Sequence, residues 1–129
     1  MFIIGLMIHS ILIYLMSEER LQSEVVKYIK LQYPKVRFCA SLGGIYTGPR
    51  QAVKAKRTGY QRGFPDLQFT EARKGFHGLF IEIKTNKGRA TEVQKEWIEA
   101  LTERGYKAEI CKGLPAILEL IDWYFEKDK

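Results

Sequence analysis

Downstream of residue 15 the sequence predicts a single α/β domain, a small mixed β-sheet flanked by helices. Three observations carry that expectation. With 129 residues the chain is one domain by length, and 46% hydrophobic residues is enough for a core and too many for a disordered polymer. Helix-type and strand-type segments alternate as α-β-β-β-α-β-α, the pattern of a sheet with helices packed on its faces. The helical segments also carry their own punctuation: Ser17 ahead of one, Thr91 and Gln94 in T-x-x-Q spacing ahead of another, Pro115 at the start of the last.

The first sixteen residues, MFIIGLMIHSILIYLM, stand apart as an almost wholly apolar run. They lack the basic leader and small-residue cleavage site of a signal peptide. As a helix they would reach roughly 24 Å, short of the ~30 Å hydrocarbon core of a bilayer. Three readings stand: an over-extended reading frame whose functional chain begins at Met16, an undersized membrane anchor, or a segment that packs on the domain or on a partner. The first is preferred, because Met16 is followed by Ser17-Glu18-Glu19, a natural helix start. The expected division is therefore residues 1–15 as an apolar extension and residues 16–129 as the domain.

Ser17 is expected to cap a helix with Glu18 and Glu19 in its first turn, Leu21, Val25, Tyr28 and Ile29 as its apolar stripe, and Pro34 beyond its end. Glu24 borders that stripe and needs a partner. Residues 36–42 read as a strand, Gly43-Gly44 and the residues to Pro49 as a loop, and residues 51–58 as a short basic helix closed by Gly59. The segments GFPDLQF (63–69) and GLFIEIKT (78–85) read as two neighbouring strands joined by a turn that holds His77. Thr91 and Gln94 then open a helix that presents Gln94, Trp97, Ile98 and Leu101 on one face and stops at Gly105. Residues 107–111 form a strand, and Pro115 starts a last helix with Ile117, Leu118, Ile121, Tyr124 and Phe125 on its inner side. Trp123, Tyr124 and Phe125 crowd its end with more aromatic surface than one small sheet is expected to cover, which nominates this helix for a subunit interface.

The chemistry concentrates in the two middle strands. Asp66 follows Pro65 at the head of the first, while Glu82 and Lys84, two apart, share a face of the second. Two carboxylates beside one ammonium suit a hard divalent cation held by oxygen, with a positive charge at hand for a phosphate or a water.

Pro65-Asp66 followed by Glu82-Ile83-Lys84, in the order GFPDL, GLFIEIKT, NKGRATEVQKEW, LTERGYKAEIC and a final amphipathic helix, resembles the VRR-NUC (virus-type replication-repair nuclease) domain of the PD-(D/E)xK nuclease superfamily. The likeness runs roughly from Glu24 to Phe125. It implies a restriction-endonuclease-like core and a metal-dependent endonuclease of the Holliday-junction-resolvase kind, stand-alone, viral or prophage, and homodimeric. By the same resemblance Asp66, Glu82 and the backbone carbonyl of Ile83 would hold Mg²⁺ or Mn²⁺, and Glu24 would bind it directly or through water. Lys84 would orient the nucleophile, and Gln94 would help to position the site; its capping of the helix at Thr91 explains that glutamine equally well. The family often has polar residues just before its paired glycines, whereas Leu42 stands there in this chain.

A formal charge of +6 and a pI near 9.3 fit a polyanionic partner. Between Glu24 and Asp66 there is no acidic residue, while Lys27, Lys30, Lys35, Arg37, Arg50, Lys54, Lys56, Arg57 and Arg62 all fall there. Tyr46, Tyr60 and Phe64 are interleaved and can pack on sugars or bases, although a solvated basic face over core aromatics has the same composition. The expected DNA-binding set is Arg50, Lys54, Lys56, Arg57 and Arg62, joined by Lys87 and Arg89 in the loop after the second strand. The predicted partner is DNA, branched as a four-way junction.

Other chemistries find little support. Cys39 and Cys111 lack C-x-x-C spacing and are expected to be buried thiols in strands, in keeping with a reducing, cytoplasmic location, in a bacterial host if the source is viral. His9 and His77 have no ligand-type neighbours at metal spacing, and the absence of a Walker-type phosphate loop argues against a nucleotide cofactor. Two rival classes are a binding module that has lost catalysis, which the intact Asp66, Glu82 and Lys84 set disfavours, and a membrane-associated structural protein, which leaves those residues unexplained.

Overall fold

In a computed structural model of the chain, residues 2–41 and 48–126 are described. The elements are α1 (Phe2–Tyr14), α2 (Glu18–Gln32), β1 (Phe38–Ala40), α3 (Pro49–Arg57), β2 (Leu67–Phe69), β3 (Leu79–Lys84), α4 (Glu92–Glu103), β4 (Lys107–Lys112) and α5 (Leu114–Phe125). The expected Gly43-Gly44 loop and Tyr46 lie outside the described residues.

β1 to β4 form one four-stranded sheet in sequence order. β1 and β2 pair antiparallel, as do β2 and β3, and β3 and β4 are parallel with α4 as the crossover between them. This is the small mixed α/β sheet read from the sequence. All six residues of β3 are buried, as befits a central strand covered on both faces. Leu79, Ile81 and Ile83 pack with Leu21, Val25 and Ile29 of α2 and with Ile117, Ile121, Tyr124 and Phe125 of α5. Phe80, on the opposite face, packs with Leu101 of α4, Ala108, Phe64 and Trp97. Glu82 and Lys84 alternate with the first set and so share the face of Phe80.

The helix ends follow their signals. Ser17 Oγ accepts from the Arg20 N–H at 3.2 Å, and Thr91 and Gln94 form a complete capping box. α3 begins earlier than expected, at Pro49, because a proline in the first turn loses no hydrogen bond and Gly48, at φ +85°, lets the chain turn into the helix. Within residues 36–41, the described part of the expected strand, β1 covers only Phe38–Ala40, because its pairing partner β2 offers only Leu67 to Phe69; Leu42 lies outside the described residues.

Two expectations need correction. Cys39 is exposed on the edge strand β1, whereas Cys111 is buried, with its thiol pushed up to about 12 by burial and then by the Glu109 carboxylate. The crowded aromatics of α5 are covered by the domain itself: Tyr124 and Phe125 are buried, and Tyr124 Oη donates to the Glu71 carbonyl at 2.7 Å. Trp123 alone of the three stays partly exposed, flanked by the Lys74 ammonium 5.0 Å from its ring centroid and by Phe76.

α1 packs little of itself away. Ile3, Ile4, Leu6, Met7, Ile8, Ile11 and Leu12 are each more than half exposed, and no helix among the described residues is long and apolar enough to cross a membrane.

Candidate active site

The site is built by strand register. Leu67 pairs with Ile81, so one step back along β2 brings Asp66 level with Glu82. Asp66 reports this directly, since its Oδ2 accepts the Ile83 N–H at 2.7 Å. Pro65, fully buried, holds the entry to the strand. Two residues earlier Gly63 sits at φ +88°, where a Cβ would lie 2.6 Å from Val93 Cγ1 and 3.0 Å from the Val93 backbone. Only glycine suits both the backbone angle and this close passage over α4.

Glu82 is 2% exposed. Burial first, then a hydrogen bond shared with Asp66 and the charge of Asp66, push its carboxyl up to about 9, with Lys84 acting in the opposite direction. Glu82 thus favours its protonated form. Lys84, 7% exposed, places Nζ 3.6 Å from Glu18 Oε1. Glu18 is wedged against the turn after β3: a Cβ on Gly88 would come within 3.4 Å of Glu18 Oε1.

Among the described residues no three His, Cys, Asp or Glu side chains converge closely enough to cage a metal. Two carboxylates beside a backbone carbonyl are nevertheless a hard-oxygen set of the kind Mg²⁺ uses, since it keeps several waters and takes further oxygen from a phosphate. The crowding of the buried Glu82 carboxyl against Asp66 marks a place where a cation would offset charge, so the residues fit a divalent ion.

The other expected residues divide. Glu24 Oε1 meets Lys27 Nζ at 3.2 Å, about 9 Å further along the α2 axis than Glu18. Gln94 Oε1 accepts the Thr91 N–H at 2.9 Å, which leaves its side-chain nitrogen outside the capping box. Arg50, Lys54, Lys56 and Arg57 are all exposed on α3, Arg62 is exposed ahead of Gly63, and Lys87 and Arg89 are exposed in the loop after β3. Phe64 packs in the α4 core cluster against Trp97 and Phe80 and is no free stacking surface.

Two residues escape a linear reading. Glu18 falls at the centre of the α2 stripe: at about 100° per residue, Leu21, Val25 and Ile29 cluster around its direction, whereas Glu24 lies well to one side. Extending the stripe one turn upstream would have found it. Lys112 pairs with Lys84 in the parallel ladder and so projects from the same face beside it, exposed and without an ion pair among the described residues. Its place depends on parallel pairing, which has no local signal.

A sequence profile of the VRR-NUC domain matches residues 8–115. The chain belongs to the VRR-NUC domain family. A solved structure described as a VRR_NUC domain protein superposes on this VRR-NUC domain with a TM-score of 0.74 at 36% identity, covering 86% of this chain and 89% of the other. A Fanconi-associated nuclease 1 homolog from Arabidopsis thaliana is 37% identical over 59 residues, which are 43% of this chain and 7% of that much longer protein. The domain is therefore similar to a small part of that nuclease and to nearly the whole of the solved neighbour.

Proposed function

We propose that this VRR-NUC domain is a divalent-metal-dependent endonuclease that hydrolyses phosphodiester bonds in DNA. The observation that carries the reading is the meeting of Asp66, Glu82 and Lys84 at one end of the sheet, with Glu82 too buried and too close to Asp66 to carry its charge comfortably alone. Asp66, Glu82 and the Ile83 carbonyl would hold Mg²⁺ or Mn²⁺, which when bound supplies a more acidic water and neutralises charge on the phosphate. Lys84 orients the attacking water beside the scissile phosphate. Glu18, with its carboxylate 3.6 Å from Lys84 Nζ, would position that ammonium, a role distinct from the metal binding, direct or through water, that the family resemblance suggests for Glu24. Gln94 keeps its side-chain nitrogen for the same region. Lys112 meets the neighbouring phosphate, and the exposed cations of α3 with Arg62, Lys87 and Arg89 hold the flanking backbone.

The finer reading is a junction-resolving enzyme. One cluster cuts one strand per encounter, so two symmetric cuts need two copies, and a two-fold dimer supplies them. The +6 charge and the absence of acids between Glu24 and Asp66 support a large cationic surface for a polyanion of this kind. A less structure-selective nuclease shares the site but not the dimer requirement, and a catalytically weak DNA-binding module shares only the basic surface.

The test is cleavage of labelled DNA by the full chain with Mg²⁺, with Mn²⁺ and with a chelator. Cutting is expected only with metal, and Asp66→Asn or Glu82→Gln should lower it by at least about a hundredfold while the fold persists. Full metal-dependent activity in either variant, or equal cutting in chelator, overturns the assignment.

A further inference from the structure

A sizeable cavity lies beside α4, with Asp66, Glu82 and Lys84 outside its lining. It is a groove of about 1020 Å³ between α3 and α4, bordered by the 60–62 segment that leads into Asp66. Its floor is apolar, with Ala52, Val93, Ala100 and Leu101, and two aromatic residues, Tyr60 and Trp97, line it. Trp97 is fixed by its neighbours: Nε1 donates to the Arg62 carbonyl at 3.2 Å, and its ring stands edge-on to Phe64 at 5.0 Å. Three cations, Lys56, Arg62 and Arg104, stand around this floor against the single carboxylate of Glu96.

We infer that this groove holds an unpaired DNA strand running up to the cleavage site, an inference that rests on the nuclease reading above. A duplex turns its bases inward and offers a wall of Ala, Val and Leu nothing but phosphate. An unpaired strand exposes apolar base faces for Tyr60 and Trp97 and phosphates for Lys56, Arg62 and Arg104, so both halves of the lining find a counterpart. The dimensions agree. From Val93 to Arg104 the groove wall follows α4 for about 16 Å, room for several stacked nucleotides at about 3.4 Å each. The groove stands close to the chemistry, because its residue Arg62 is joined to Asp66 by only Gly63, Phe64 and the buried Pro65, and Gly63 is pressed against Val93, which also lines the groove. A strand laid in the groove would therefore deliver its backbone to the carboxylates from a fixed side.

Binding measured in chelator separates this inference from the nuclease reading, since no cutting is needed. Affinities of the full chain are compared for a short single-stranded oligothymidylate and for a blunt duplex of the same length. Tyr60→Ala and, separately, Arg104→Gln should each reduce the ratio of single-strand to duplex affinity by about tenfold, the effect of one lost stacking or phosphate contact. In a Trp123→Phe protein, where Trp97 is the remaining tryptophan, the single strand should quench emission and the blunt duplex should not. An unchanged ratio in both variants, or equal quenching by both ligands, overturns the inference. So does a Trp97 emission that responds to protein concentration and not to oligonucleotide, which would assign the groove to a second copy of the chain.

Discussion

Glu82 joins burial to reactivity in one side chain. Its carboxyl titrates near 9 in the fold against 4.5 for the ordinary group, so over that interval the folded protein binds more protons than the unfolded chain. Stability of the metal-free protein should therefore fall as pH rises from about 4.5 to about 9, the reverse of the usual salt-bridged carboxylate. On the proposed reading a divalent ion would displace the Glu82 proton, so Mg²⁺ or Mn²⁺ should raise the melting temperature more near pH 8.5 than near pH 6, as thermal melts at the two pH values would show. An equal gain at both pH values would mean that the ion binds elsewhere. The second expectation concerns the two acids of α2. Glu18→Gln should slow cleavage about tenfold or more by releasing Lys84, with little change in substrate affinity, whereas Glu24→Gln should have the smaller effect because its recorded partner is the exposed Lys27. Steady-state kinetics of the two variants decide it, and a larger loss at Glu24 reverses the assignment.

The elements were legible in the sequence to the degree that their signals are local. α2, α4 and α5 announce themselves through Ser17, the Thr91–Gln94 box and the proline near the start of α5, and their apolar stripes match the buried faces. β1 is less legible because its length is imposed by β2, and Cys39 is exposed because an edge strand has one side open. The core of the site, Asp66 with Glu82 and Lys84, could be read from motif and period-two alternation. Glu18 needed the helical wheel to be carried one turn further upstream, and Lys112 needed a pairing register between strands separated by a whole helix. α3 is basic throughout and buries none of its residues, which leaves it for an outside partner. Neutralising Lys54, Lys56 and Arg57 together should weaken DNA binding across sequences and flatten the slope of log affinity against log salt by between about 2 and about 3. Affinity titrations over a range of salt measure this directly, and an unchanged slope would move the binding surface away from α3.

At the scale of the whole molecule the candidate site is a composite of α2, the head of β2 and the end of β3, so it needs those three elements packed together. Junction resolution should accordingly appear as a property of the assembled dimer: sedimentation should give two copies, and a four-way junction should receive paired, symmetric nicks in preference to linear duplex. A monomer that cuts both substrates equally would leave the metal-dependent nuclease and remove the resolvase. The parallel pairing of β3 with β4 also orders events during synthesis. β3, whose six residues are all destined for burial, is made after its antiparallel partner β2 but before its parallel partner β4, and at ordinary elongation rates about 1–4 s pass while the crossover and α4 are translated. Through that interval the β2–β3 register that aligns Asp66 with Glu82 is available, while the other edge of the LFIEIK segment stays unpaired and suited to a chaperone. Any fragment that stops short of β4 should therefore emerge as aggregation-prone material, with one edge of β3 open and the cover of α5 missing.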